Sequence, residues 1–179
     1  ISRKGRNIAF SSLWDNYPDE VRIPITPKAK SYNAAYLMLA GTTNNMQSRI
    51  DNALVIAEYE EGCADTLHLE NPINWPTINE AYVFDDYAFW SAPIMPLRFR
   101  FDNGKVGRHI NAKELLSTIP SNHDDKERKI GEDNRYAIEK GAGVILKMPL
   151  NPASRIRGIR IKTLSNDIVV GLMAVTLER

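Results

Sequence analysis

Short apolar runs of strand length, most of them closed by a turn signal, constrain this chain more than any other feature. "AAYLMLAG" (residues 34–41) is continuously apolar, the pattern of a central strand buried on both faces. "VRIPITP" alternates Val21, Ile23 and Ile25 with Arg22 and Thr26, and its prolines place it at a sheet edge. "ALVIAEYEEG" starts at Ala53, stops at the turn Glu61-Gly62, and is followed by "DTLHLENP", so the two predict a hairpin. In "LRFRFDNGKV", Leu97, Phe99 and Phe101 alternate with Arg98 and Arg100 before Asp102-Asn103-Gly104, residues that tolerate the positive φ of a hairpin turn. Near the C-terminus, "GVILKMPL", "RIRGIRIKTL" and "DIVVGLMAVTLE" continue the series. Gly158 there predicts a β-bulge, and Asn166-Asp167 predicts the turn into the last strand.

Helix signals are scarce. Asn111 followed by Glu114, Leu115 and Leu116 predicts one short helix, because a cap and a reaching glutamate satisfy its first amides. "PSNHDDKERKIGEDNRY" (residues 120–136) is charged with little apolar content, so residues near 111–140 are expected to form an excursion outside the sheets. Many short strands and little helix predict an all-β, antiparallel β-sandwich of jelly-roll, galactose-binding-like type. A doubly wound α/β fold would need a helix between most strands. Residues 1–179 read as a single domain, a length that suits one core.

The charge balance removes several function classes. The formal net charge is +1, which gives no electrostatic case for nucleic acid as a partner. No apolar run approaches the ~20 residues of a membrane span. Cys63 is the only cysteine, so an intrachain disulfide is impossible and a cysteine-based zinc site lacks ligands. The chain opens at Ile1 with the basic "ISRKGRN" and is expected to be cut from a larger polypeptide.

Enzyme motifs are missing from the sequence: no phosphate-binding glycine-rich loop, no G-x-S-x-G and no H-E-x-x-H. His68, His109 and His123 are far apart. His123 beside Asp124 and Asp125 reads as a solvated charged run, His68 as a surface histidine between leucines, and Cys63 as a hairpin-tip thiol without a base. Asp85 and Asp86 are adjacent, and on a strand they point to opposite faces, so they make a poor glycosidase pair. The sequence predicts no catalytic residue, no metal ligand and no cofactor. A structural Ca²⁺ is compatible with a sandwich loop but has no predicted site.

Aromatic residues carry the remaining signal. "SLWDNYPDE" and "NPINWPTINEAYVFDDYAFW" mix aromatics with Asn, Asp and Glu. An aromatic face stacks on the apolar face of a pyranose, and amides or carboxylates bond its hydroxyls. Trp14, Trp75, Tyr82 and Trp90 are therefore candidates for stacking, and Asn44, Asn45, Gln47 and Asp86 for hydroxyl contacts. Core packing is the competing reading of each aromatic. The polar connection "AGTTNNMQSRIDN" (residues 40–52) is long for a hairpin. Its structural reading has Met46 and Ile50 plugging the sandwich end, with Gln47 and Ser48 satisfying buried backbone.

Four strings in order, "IAFSSLWDNYPDEVRIPI", "AYLMLAGTTNNMQSRIDNALVIAEYEEG", "LHLENPINWPTINEAYVFDDYAF" and "NPASRIRGIRIKTLSNDIVVGLMAVTL", resemble a family of uncharacterised β-sandwich domains. They are of galactose-binding or jelly-roll type and occur in large Bacteroidetes proteins associated with polysaccharide breakdown. The resemblance implies a secreted, periplasmic or cell-surface parent and a glycan as partner, either polysaccharide or oligosaccharide. It also implies a neighbouring glycosidase-like domain in the parent. Two roles follow: a non-catalytic carbohydrate-binding or accessory module, or a structural sandwich that orients a catalytic neighbour without touching sugar. The third role, a glycoside hydrolase, would draw its acids from Asp15, Asp19, Asp85 and Asp86.

Overall fold

The computed structural model describes residues 7–14, 16–29, 31–71, 73–79, 84–85, 89–90, 96–107, 138 and 140–179. The short helix predicted from Asn111 and nearly all of the charged excursion lie outside these residues. Among the described residues twelve strands appear in chain order: β1 (Ala9–Ser12), β2 (Glu20–Pro24), β3 (Ala34–Thr42), β4 (Asp51–Tyr59), β5 (Ala64–Glu70), β6 (Phe84–Asp85), β7 (Phe89–Trp90), β8 (Leu97–Arg100), β9 (Val106–Gly107), β10 (Ala142–Pro149), β11 (Ile156–Thr163) and β12 (Val169–Glu178). One six-stranded sheet runs β1-β12-β3-β10-β8-β9 and one four-stranded sheet runs β2-β11-β4-β5, while β6 pairs with β7. All ladders between these strands are antiparallel. The expected antiparallel β-sandwich is the fold.

Its topology follows one rule. β1 pairs with β12, β2 with β11, β3 with β10 and β4 with β5. The chain is thus one long nested hairpin rolled so that successive pairs fall in alternate sheets, the jelly-roll plan. Strand chemistry fits each place. β2, with Pro24, is an edge, and apolar β3 lies between β12 and β10. The register of β11 against β4 shifts between Ile156 and Gly158, the bulge foreseen at the glycine. The core forms where alternate residues of both sheets meet: Leu37, Leu39, Val144, Leu146, Met148 and Val170 face Val55, Tyr59, Leu69, Ile159 and Ile161.

The β8–β9 hairpin departs from the alternation read in sequence. Its connection is five residues, 101–105, and among them only Gly104 has positive φ, 70°. Arg98, not its apolar neighbours, takes the core-side position opposite Val144 and is 3% exposed. Backbone carbonyls hold the guanidinium: it donates to Thr77 O (2.9 Å), Ala142 O (3.0 Å) and Gly143 O (3.3 Å). Phe99 lies on the other face against Gly143, where an added Cβ would come within 2.4 Å of its ring. Only a glycine there leaves room for the phenyl group.

Charges on the outer face of the four-stranded sheet form one ion-pair network. Arg160 reaches Glu20 and Glu58 at 2.9 Å each, and Arg22 and Arg157 lie around the same two carboxylates. The hydrogen bond from Arg160 holds the Glu20 carboxyl below its usual range. At the free side of β5, Asn74 substitutes for a neighbouring strand: its Nδ2 donates to His68 O, and its Oδ1 accepts from Glu70 N–H, both at 2.8 Å.

Two predictions follow from the packing. An alanine Cβ at Gly41 would stand 1.8 Å from Val169 O and 2.9 Å from the Trp75 ring. Gly41→Ala is expected to cost about 3 kcal/mol or more, whereas Gly107→Ala, with open space around it, stays within about 0.5 kcal/mol. Urea unfolding midpoints compare the two. The second concerns Tyr59, which donates its hydroxyl hydrogen to Asp65 and accepts from Asn151 N–H at 2.9 Å. Burial, together with the bond to Asp65, pushes the phenol well above the usual tyrosine range. Above about pH 10 the unfolded chain releases this proton while the folded chain keeps it, so stability falls with rising pH by about 1.4 kcal/mol per unit. Tyr59→Phe is expected to flatten that alkaline slope and to cost about 1–2 kcal/mol at neutral pH, read from urea midpoints across the alkaline range.

Candidate functional site at the loop end of the sandwich

The nested hairpin gathers three connections at one end: residues 13–19, 43–50 and 164–168. Beneath them the sandwich is closed by hydrogen-bonded polar groups, although Thr42 Oγ1 and Asn71 Nδ2 are buried there without a partner. Ser11 of one sheet and Thr163 of the other share a buried hydrogen bond of 2.8 Å, and Ser12 Oγ donates to Ile168 O at 2.8 Å. Asn52 is the hub. Its Oδ1 accepts from Thr43 Oγ1 (2.6 Å), and its Nδ2 donates to Gln47 O (2.8 Å) and Ile50 O (3.1 Å). Its carbonyl accepts from Leu164 N–H (2.9 Å) and Ser165 N–H (3.2 Å). One fully buried residue therefore fixes both the 43–50 and the 164–168 loops.

This corrects the expected plug. Met46 is 71% exposed and Ile50 is also exposed, so neither fills the sandwich end. Asn52, not the side chains of Gln47 and Ser48, satisfies the loop's backbone. A planar amide with two donors and an acceptor suits three partners in one place, which a methionine cannot do. The apolar filler is Trp75, which is fully buried and donates Nε1–H to Thr42 O at 3.3 Å. Trp75 is thus removed from the stacking candidates: its ring is core, packed over Gly41.

Above the plug the loops bring three side chains together. Trp14 from residues 13–19 is 49% exposed, and its Nε1–H donates to Asp167 Oδ1 at 3.4 Å. Asn44 from the second loop donates Nδ2–H to Asp167 Oδ2 at 3.4 Å. Asn44 Oδ1 accepts from Met46 N–H at 2.9 Å, an Asx turn that fixes the amide and opens the 3₁₀ turn Asn45–Gln47. Tyr17 N–H donates to Trp14 O at 3.1 Å, and the Tyr17 ring meets Phe10 edge-on at 5.4 Å. Each loop turns at a left-handed non-glycine residue: Asn16 (φ 70°), Arg49 (φ 59°) and Asp167 (φ 62°). Such residues persist where surrounding bonds hold them.

Of the other candidates, Gln47 is half-buried and donates its backbone N–H to Asn44 O at 2.8 Å. Asn45 contributes backbone to the same turn, and Trp90 contributes backbone to β7; their side chains lie outside the described residues. Tyr82, Asp86, Asp15, His109 and His123 lie outside them altogether. In the sequence Asn166-Asp167 carries a turn signal alone, so Asp167 is not among the candidates read there. The turn is real, and the carboxylate of a turn residue is also free to face outward.

Other corners offer less. His68 Nδ1 meets Asp51 Oδ2 at 2.8 Å with both side chains solvent-facing, and Cys63 is exposed at its hairpin tip, 3.6 Å from Ser154 Oγ. Among the described residues no three His, Cys, Asp or Glu side chains cluster to hold a metal, and no helix is long and apolar enough to cross a membrane. A groove of about 400 Å³ beside β1 and β12 is lined by Ile8, Ile23, Ile25, Leu172 and Val175, with Asn7 at one side, a lining poor in groups that bind hydroxyls. Comparison with protein-family models, curated proteins and solved structures found no match.

Replacing Asn52 with alanine leaves the Gln47 and Ile50 carbonyls and the Thr43 hydroxyl without their partner. The expected cost is about 3 kcal/mol, with faster amide exchange in residues 43–50, while residues 164–168, whose bonds go to the backbone carbonyl that alanine keeps, and the Tyr59 end stay unchanged. Hydrogen-exchange mass spectrometry reads both.

Proposed function

We propose that this domain is a non-catalytic carbohydrate-binding module of a glycan-degrading protein, with its site at the loop end. The observation that carries the reading is the solvent-facing indole of Trp14 set beside the Asp167 carboxylate and the Asn44 amide, on loops tied down from below. Stacking on Trp14 supplies the apolar contact, and the polar pair bonds hydroxyls at the rim of the ring. Preorganisation matters because ordering a loop at the moment of binding costs affinity. The resemblance noted in the sequence supports the polysaccharide setting and a secreted, periplasmic or cell-surface parent.

One aromatic and two polar side chains make a modest site. A dissociation constant on the order of 1 mM, about 4 kcal/mol, is expected for one sugar unit. A tether to a catalytic neighbour makes such weak contact useful, since an attached domain meets its polymer at millimolar effective concentration.

A second reading keeps the sandwich as scaffold for that neighbour. It is favoured by a row across the outer face of the six-stranded sheet: Ala174, Met38, Ile145 and Leu97 lie directly opposite one another in register. All four are half-buried, and cross-strand partners share a face.

Affinity electrophoresis in gels containing soluble glucans, mannans, xylans and galactans tests the first reading. Wild type is expected to be retarded by at least one polymer. Trp14→Ala should lose about tenfold or more in affinity while its unfolding midpoint changes by less than about 0.5 kcal/mol. A folded wild type that none of these polymers retards would sink it.

A further inference from the structure

The charge at this site narrows the ligand, granted the carbohydrate reading. The described residues of the three loops hold two carboxylates, Asp19 and Asp167, and one cation, Arg49. Of these, Asp167 is the one hydrogen-bonded to both Trp14 and Asn44. Its two oxygens each receive one long bond of 3.4 Å, and a carboxylate has about four acceptor positions. The oxygens therefore have acceptor capacity left beside the indole. The Asn44 amide oxygen already accepts from Met46 N–H. The site thus asks its ligand to donate.

We infer that the loop-end site selects uncharged sugar residues, bound through vicinal hydroxyl donors to Asp167, and discriminates against uronic acids and sulfated sugars. A neutral pyranose stacked on Trp14 offers hydroxyl hydrogens to a fixed carboxylate, a charge-assisted arrangement. A sugar carboxylate or sulfate in the same place brings like charge against Asp167 and offers acceptors where acceptors already stand. Repulsion of this kind is how a site rejects a near-isosteric competitor. The turn also fixes the choice of test, since Asp167 has φ 62° and asparagine accepts that left-handed backbone as readily as aspartate. Asp167→Asn removes the charge and leaves the turn, with one of the two accepted bonds lost because an amide keeps a single acceptor oxygen.

The test uses matched oligosaccharides that differ only at C6: gluco- against glucurono-, and galacto- against galacturono-oligosaccharides of equal length, titrated calorimetrically. Wild type is expected to bind the neutral member about tenfold or more tightly than the uronate. Asp167→Asn should weaken neutral binding several-fold and bring the two members to near parity. Salt should narrow the wild-type ratio and leave the variant's ratio unchanged, because screening acts on the charge term alone. Trp14-dependent binding in which wild type takes uronates as well as neutral sugars, or in which Asp167→Asn leaves the ratio untouched, overturns this inference and leaves the carbohydrate reading standing. Failure of every oligosaccharide to bind folded wild type overturns both.

Discussion

Asn52 settles a problem that every sandwich has at its ends. Where strands stop, backbone amides and carbonyls lose their ladder partners, and leaving them buried and unpaired is costly. One residue answers for two loops here, through five bonds from a single buried carboxamide and its carbonyl. The bond between Ser11 and Thr163 then joins the two sheets at the same level. What lies above, the Trp14–Asp167–Asn44 arrangement, inherits its order from this layer. A site on loops is only as rigid as the elements that hold the loops.

The roll of nested pairs explains why remote parts of the sequence meet at that site. Trp14 follows β1, Asn44 precedes β4, and Asp167 links β11 to β12. In a linear list they have nothing in common. In a hairpin folded on itself, the turns after β1, β3 and β11 must fall at one end, and those after β2, β4 and β10 at the other. The fold was legible because its signals are local: apolar runs of strand length, Gly62 and Gly104 at turns, Gly158 at a bulge. Pairing order is non-local, and no residue pattern states it.

The candidate site was legible in part, and the errors share a cause. Trp14 and Trp75 look alike in sequence, each an aromatic among polar and proline residues. Burial separates them: one faces solvent, while the other fills the space over Gly41. Depth below a surface belongs to the packed molecule and leaves no mark on neighbours in sequence. Arg98 misleads in the same way, since an arginine in an alternating strand reads as solvent-facing until carbonyls from residues 77, 142 and 143 are found around it. Asp167 carries a turn signal in the sequence, and that signal says nothing of the bonds its carboxylate accepts from Trp14 and Asn44.

Asn74 has a consequence for how the edge of the four-stranded sheet meets other chains. An unpaired strand edge is a template on which another chain can add, and β5 carries neither proline nor lysine to discourage it. The amide of Asn74 already occupies the carbonyl of His68 and the N–H of Glu70. A strand arriving at that end of β5 would have to displace a satisfied partner before gaining one. Such a blunted edge lets copies of the domain stand close together without fusing their sheets.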